Sequence, residues 1–414
     1  MKVADITAEQ LSDYEEKLSA IRSSAGIAFK TFALEQDLSK LGEEARKSAI
    51  YHAANKAVSH LSDAAGSAAC DFFDAHVTGA APSEIAPLPK FIKRRLYEHI
   101  EKYAKTHEIG DDEFMRLLAE EVGGEAVQHA NRTTVHNAAK NDVRYARVPF
   151  GNSCAFCLML ASRGFVYHSA TTAGEDKGHY HGNCRCKIVA GKEDTEIEGY
   201  NPEALNRRMQ QIAEELDITN FNWEDYMSDK AMQDLLQREI RLRDKDWLLN
   251  GKVPEVDYSN NPRENYGIRK VENNDYSKEN FETAKNEWRD LFVHDTLARN
   301  GYSVAANADI MRGGSTNIDL FVAGLKAEVK SPEAEYIASA KDPFKFVQRN
   351  VEKARNQFKA DGEENKGIVF SNFYTGYEDN LEEKVLERFT REAKRNHFQN
   401  AWFISKNGQL KKVI

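Results

Sequence analysis

Asn317-Ile-Asp-Leu-Phe-Val-Ala-Gly-Leu-Lys-Ala-Glu-Val-Lys330 is the stretch whose register decides the fold of the last third of the chain. Apolar and polar residues alternate on both sides of Ala323-Gly324. That is the pattern of two half-buried strands joined by a two-residue turn, and glycine supplies the positive φ the turn requires. Val322 then pairs with Leu325, Leu320 with Ala327 and Ile318 with Val329. These six residues make one wholly apolar face, and a one-residue slip would turn that face outward. The opposite face sets Asn317, Asp319 and Phe321 against Lys326, Glu328 and Lys330. Asp319 lies directly across from Glu328, with Cβ atoms about 4.5–5.5 Å apart.

Two carboxylates that close repel unless a cation stands between them, and hard divalent cations prefer oxygen ligands. Lys330 shares their face and is placed to orient a water or to steady the charge on a phosphate. The chemistry expected is metal-assisted hydrolysis of a phosphodiester, with Mg²⁺ or Mn²⁺ as cofactor. A solvated hairpin gives the same alternation, with Asn317, Asp319, Glu328 and Lys330 as plain surface. In a helix expected over 344–360, Lys345, Arg349, Lys353 and Gln357 recur every fourth residue. Phe346 or Val347, Val351, Ala354 and Phe358 form its buried face. The cationic stripe suits a nucleic-acid backbone.

Around the hairpin, residues 281–414 read α-β-β-β-α-β-α-β. Helices are expected over 281–299, 344–360 and 379–396, and strands over 302–305, 367–370 and 401–405. Asn300-Gly301 ends the first helix. The alternation implies a mixed sheet with helices packed against it. Net charge of the whole chain is −9, yet residues 281–414 hold 21 Lys/Arg and 20 Asp/Glu. The last third is therefore electrically distinct, and its balance does not exclude a nucleic-acid partner.

Asp319 followed by Glu328-Val-Lys-Ser-Pro332 resembles the D…ExK core of the PD-(D/E)xK nucleases. Leu297-Ala-Arg-Asn-Gly-Tyr-Ser-Val304 before it and the basic helix after it narrow the resemblance. They are similar to the tRNA-cleaving C-terminal toxin domains of bacterial contact-dependent inhibition systems. The resemblance covers about 130 residues. It implies a restriction-endonuclease-like α/β fold, Asp319 and Glu328 as ligands of Mg²⁺ and Lys330 as the catalytic lysine. It further implies tRNA as substrate and a cognate immunity protein as partner. An additional acidic ligand from the preceding helix would be Glu287 or Asp290. Val271-Glu-Asn-Asn274, just upstream, resembles the tetrapeptide that opens some of those toxin regions.

The first two thirds differ in kind. Residues 1–140 read as helix, broken between Thr78 and Pro89, with a new start at Gly110-Asp111-Asp112. Residues 141–200 read as a Cys/His-rich, loop-dominated segment. A helix starts at Pro202 with Asn201 as its cap, and another covers about 224–248. Residues 255–278 read as a polar linker. The domains expected are thus 1–140, 141–200, 201–278 and 279–414, an α+β multidomain chain. The N-terminus lacks an apolar core, so no secretion signal is expected. No run is long and apolar enough for a membrane span, and no membrane partner is expected.

Of five cysteines, Cys70 stands alone in an Ala-rich helix and reads as a buried small residue. Cys154, Cys157, Cys184 and Cys186 crowd together, with His179 and His181 beside them. A CxxC followed by a Cys/His pair suits tetrahedral structural Zn²⁺, completed by Cys184 and Cys186 or by His181 with either. Metal-free thiols and disulfides are the other two readings. Arg147-Val-Pro-Phe-Gly through Cys154-Ala-Phe-Cys157 to Arg163-Gly164, with Tyr167 and His181-Gly-Asn-Cys-Arg-Cys186, resembles the phage Mu F-like minor head proteins. That resemblance implies a virion protein inside the capsid, with portal and capsid proteins as partners and a variable C-terminal cargo. A purely structural virion protein with a nucleic-acid-binding C-terminal domain, or a DNA-directed endonuclease, would fit the same residues.

Overall fold

The computed structural model describes residues 1–150, 153–168, 186–218, 221–258, 290–306, 319–331, 342–360, 362, 366–372 and 379–414. The chain is α+β and divides into two compact units, Met1–Asn206 and Arg207–Ile414. The first unit is mostly helical: α1 (Ala8–Leu34), α2 (Glu43–His76), α3 (Phe91–Ala104) and α4 (Asp112–Lys140). Asp111 caps α4, its carboxylate accepting from the Phe114 N–H at 2.6 Å, where the run of acidic residues predicts a helix start. α4 is buried nearly all round, so its polar side chains need partners inside. Arg95 pairs with Glu125 at 2.7 Å, and the Tyr103 hydroxyl donates to Glu121 at 2.7 Å.

The strands of this unit are not legible in helix propensity. A short pair joins β1 (Lys2–Val3) to β2 (Val77–Thr78). Within 141–200, expected as loop, β3 (Arg144–Val148) pairs antiparallel with β4 (Lys187–Gly191), and α5 (Ala155–Ala161) lies between them in sequence. Asn131 of α4 fixes β4, accepting from the Ile188 N–H at 2.9 Å and donating to the Cys186 carbonyl at 3.2 Å. α6 (Pro202–Glu215) starts where Asn201 caps it, accepting from the Ala204 N–H at 2.8 Å.

In the second unit the helix expected over 224–248 is three helices: α7 (Trp223–Ser228), α8 (Lys230–Leu242) and α9 (Lys245–Asn250). An aspartate stands at each of the last two starts. Asp229 and Asp244 accept backbone N–H groups and cap α8 and α9. The linker expected over 255–278 falls mostly on residues 259–289, outside the described residues. α10 is described over 290–299.

A six-stranded sheet follows, made of β5 (Val304–Ala306), β6 (Leu320–Val322), β7 (Leu325–Lys330), β8 (Gly367–Ser371), β9 (Asn400–Ile404) and β10 (Leu410–Lys412). Its order is β10-β9-β8-β7-β6-β5, with β7–β8 and β8–β9 parallel and the other pairs antiparallel. α11 (Pro343–Ala360) precedes β8, and α12 (Asp379–Arg395) precedes β9. Ala323 at φ 50° and Gly324 at φ 76° form a turn with two left-handed residues. Leu320 faces Ala327 and Val322 faces Leu325, the predicted register. Ile318 lies outside the described residues. β10 is an addition that the sequence reading did not contain.

The two sheet faces bury different partners. Leu320, Val322, Ala327 and Val329 pack with Trp402 under Phe292 and Leu297 of α10. Ile368, Phe370 and Phe403 pack on the other face against Val351 and Phe358 of α11 and Phe389 of α12. α8 joins the first face through a buried ionic cluster. The Arg243 guanidinium sits 2.7 Å from Glu215 and 3.0 Å from Glu239, and Lys412 sits 3.4 Å from Glu239. Arg243 also lies 3.8 Å from the centre of the Tyr302 ring, and the Tyr302 hydroxyl donates to Glu239.

Arg243→Met leaves Glu215 and Glu239 without that cation, and removing one partner of a buried pair costs about 3–5 kcal/mol. Urea unfolding followed by tryptophan fluorescence is expected to show that loss in the transition reported by Trp247 and Trp402. A midpoint within error of the parent chain would refute it.

Candidate functional site

The hairpin register sends Glu328 and Lys330 to the sheet face that α11 covers, because Ala327 and Val329 take the other. Glu328 is 1% exposed and Lys330 9%, which removes the reading of this face as solvated surface. Lys330 Nζ pairs with Glu328 Oε1 and donates to Gln357 Oε1 of α11 at 3.0 Å. Asp319, one residue before β6, is held differently from a plain cross-strand partner. Its Oδ2 accepts the Val329 N–H at 2.8 Å, so the carboxylate is fixed against the β7 backbone.

The electrostatics of this pair are unbalanced. Burial and then the negative charge of Glu328 push Asp319 up from 3.8 to about 7, although Lys330 and the Val329 N–H pull it down. Glu328 Oε2 is enclosed, and with Asp319 ionised it meets no hydrogen-bond donor among the described residues. A protonated Asp319 serves Glu328 as a hydrogen-bond donor, and when both carboxyls are ionised they are candidate oxygen ligands for a divalent cation. Only two such ligands are placed together, and among the described residues no group of three His, Cys, Asp or Glu is arranged to hold a metal. Mg²⁺ is commonly held by one or two carboxylates, with water and substrate phosphates completing its shell, so two are enough for that ion. Of the candidates for a further acidic ligand, Asp290 is the first described residue of α10 and half-buried, while Glu287 lies outside the described residues.

Gln357 belongs to this site although its residue type announced no role there. Its signal was positional: it ends the fourfold row that begins at Lys345. The other three members of that row, Lys345, Arg349 and Lys353, are exposed, and their side chains have no ion pair among the described residues. Val347, Val351, Ala354 and Phe358 form the buried face, with Phe346 only half-buried.

The cysteines of the first unit are partly gathered. Cys157 and Cys186 are buried in contact, and Cys154 packs on them half-buried. None of these three, nor Cys70, is in a disulfide. Cys154 caps α5, its Sγ accepting the Cys157 N–H at 3.5 Å. The fully buried Arg147 donates to Cys157 Sγ at 3.6 Å, and Cys186 Sγ lies 3.3 Å from Ser153 Oγ. Tyr167 is buried as well, and its hydroxyl donates to the Leu160 carbonyl at 2.8 Å, tying the segment to α5. His179, His181 and Cys184 lie outside the described residues. Cys70, expected to be buried, is half-buried on α2.

Residues 5–212 match the family model described as VG15 protein. The match covers the first unit and ends within α6, so the sheet and the Asp319–Glu328 site stand outside it. Neither a curated protein nor a solved structure gives a match. Half of the chain matches that family, and the chain therefore belongs to the VG15 protein family, a viral family whose membership fits a phage protein.

Proposed function

We propose that the chain is a phage minor head protein whose second unit is a metal-dependent nuclease of the PD-(D/E)xK type, acting on RNA with tRNA as first candidate. The observation that carries the nuclease reading is half-buried Asp319 next to buried Glu328, with Lys330 beside them. Asp319 and Glu328 Oε2 would hold Mg²⁺ or Mn²⁺, which when bound polarises the phosphodiester and makes a water more acidic at neutral pH. Asp319 keeps its place through the Val329 N–H. Lys330 brings a fixed ammonium to the position where charge develops on the phosphate. Gln357 holds that ammonium from the far side and limits its rotamers.

The first unit would anchor this cargo in the virion through portal and capsid proteins, as the resemblance to minor head proteins implies. The cysteine-rich segment would carry structural Zn²⁺ on Cys154 and Cys157 with two of His181, Cys184 and Cys186. A cognate immunity protein would protect the producing cell.

Incubation of the full chain with tRNA, plasmid and single-stranded DNA, with and without EDTA, tests the reading. RNA cleavage is expected only with Mg²⁺ or Mn²⁺, and Asp319→Ala or Glu328→Ala should reduce it to background. Lys330→Met is expected to lower the rate by about 10²-fold or more, as loss of one preorganised charge donor does. Gln357→Ala acts through Lys330 and is expected to cost about 10- to 100-fold. Cleavage that persists in EDTA or in Glu328→Ala would overturn the assignment, and preference for plasmid would move the substrate to DNA.

The raised Asp319 gives a second test that needs no substrate. The folded chain binds this proton more tightly than the unfolded chain, so the contribution of Asp319 to stability is fully present below about pH 4 and is lost as pH rises through 7. In EDTA, Asp319→Asn should therefore match the parent at pH 4 and exceed its denaturation midpoint above pH 7. Excess Mg²⁺ should then raise the midpoint of the parent and leave that of the variant unmoved. Equal midpoints at every pH would show that the pair carries no electrostatic strain.

A further inference from the structure

α11 holds five Lys or Arg and one Glu over Pro343–Ala360, in a chain whose net charge is −9. Several exposed cations on other helices pair with carboxylates three or four residues away. Arg94 meets Glu98, Arg116 meets Glu113 and Glu120, Lys230 meets Asp234, and Arg299 meets Asp295. The exposed row Lys345, Arg349 and Lys353 makes no such pair among the described residues: its i±4 positions hold cations of the row itself, Gln357 and Lys341, and Asp342, three residues before Lys345, caps the helix through the Phe344 and Lys345 N–H groups. The one glutamate of the helix, Glu352, instead accepts from Gln348 at 2.9 Å.

The row also has a fixed end. Its fourth member, Gln357, accepts from Lys330 Nζ at 3.0 Å, which puts the candidate site at the C-terminal end of the row. Residues four apart rise about 6 Å along a helix, so Lys353, Arg349 and Lys345 stand about 6, 12 and 18 Å from Gln357 along the axis. That step is comparable with the separation of consecutive phosphates on an extended strand. A solvated helix face needs neither one sign of charge, nor this step, nor a terminus at the buried lysine.

The geometry points to a one-sided phosphate track: Lys345, Arg349 and Lys353 hold three consecutive phosphates of a single RNA strand on one side of the bond presented to Lys330. The inference rests on the nuclease reading for the identity of the site but on the cation row for the track. Each contact displaces counterions, which makes binding salt-dependent without reading sequence. The substrate is then an RNA with several nucleotides on one side of the cleaved bond, not a mononucleotide or a dinucleotide.

Fluorescence anisotropy of labelled single-stranded RNA oligonucleotides of increasing length, titrated with the full chain in EDTA over a salt series, tests the track. Affinity is expected to rise until three phosphates are engaged and then to level. The log–log salt slope should fall by about 0.7 for each of Lys345→Ala, Arg349→Ala and Lys353→Ala, and by about 2 in the triple variant. Lys359→Ala, on the same helix but off the row, should leave the slope of the parent. Circular dichroism confirms that each variant is folded. A triple variant that keeps the parent slope, or a Lys359→Ala loss as large as those of the row, overturns the track. RNA cleavage with an unchanged slope removes the track and leaves the nuclease; the expected slopes without any cleavage keep the track and remove the nuclease.

Discussion

The turn at Ala323-Gly324 is the constraint on which the second unit depends. Two consecutive left-handed residues are tolerated there because one is glycine and the loop is short. That turn sets the pairing of Leu320 with Ala327, and the pairing decides which side chains go to which face. A slip of one residue would push Glu328 and Lys330 under α10, among Phe292, Leu297 and Trp402. It would also bring Ala327 and Val329 to face α11. The apolar cost of that exchange is what keeps the carboxylate and the ammonium beside Gln357.

Much of this was legible because the hairpin is patterned at the period of a strand and long helices are patterned at the period of a helix. The register, the helix break near Pro82–Pro89, the helix start at Gly110-Asp111-Asp112 and the cap at Asn201 all followed from local chemistry. What was not legible depends on tertiary partners. Arg144–Val148 and Lys187–Gly191 lack a strand signature of their own, since each is completed only by the other and by Asn131. The division of 224–248 turned on Asp229 and Asp244, ordinary charges in a helix-rich stretch until they are seen capping. β10 was missed: its turn at Asn407-Gly408 went unread, where Gly408 has φ 80° and the Ser405 N–H donates to the Gln409 carbonyl at 2.9 Å.

At the site, residue type gave Asp319, Glu328 and Lys330, but not their burial. Alternating polar residues look the same whether they face water or a helix. Only the contact from α11 distinguishes the two, and Gln357 delivers it across 27 residues of sequence. The extent of the unit was hidden for a similar reason. Arg243 and Glu239 read as charges on a connector helix, and nothing local says that Tyr302 and Lys412 enclose them.

Those two buried ionic clusters make the strongest internal comparison in the molecule. Arg243 and Lys412 face Glu215 and Glu239, two charges of each sign. Burial would raise Glu239, but Arg243 and Lys412 bring it below the ordinary carboxylate range, and burial brings Lys412 down to about 8, still cationic at neutral pH. That cluster balances its charges internally, although burial raises Glu215 within it. Half-buried Asp319 and buried Glu328 set two carboxyls against the one ammonium of Lys330, and the imbalance appears as an Asp319 raised to about 7. Replacing such a group with apolar residues would generally be neutral or favourable for folding. One cluster is thus balanced by its own cations, and the other by a proton that Asp319 holds more tightly than a free carboxyl does.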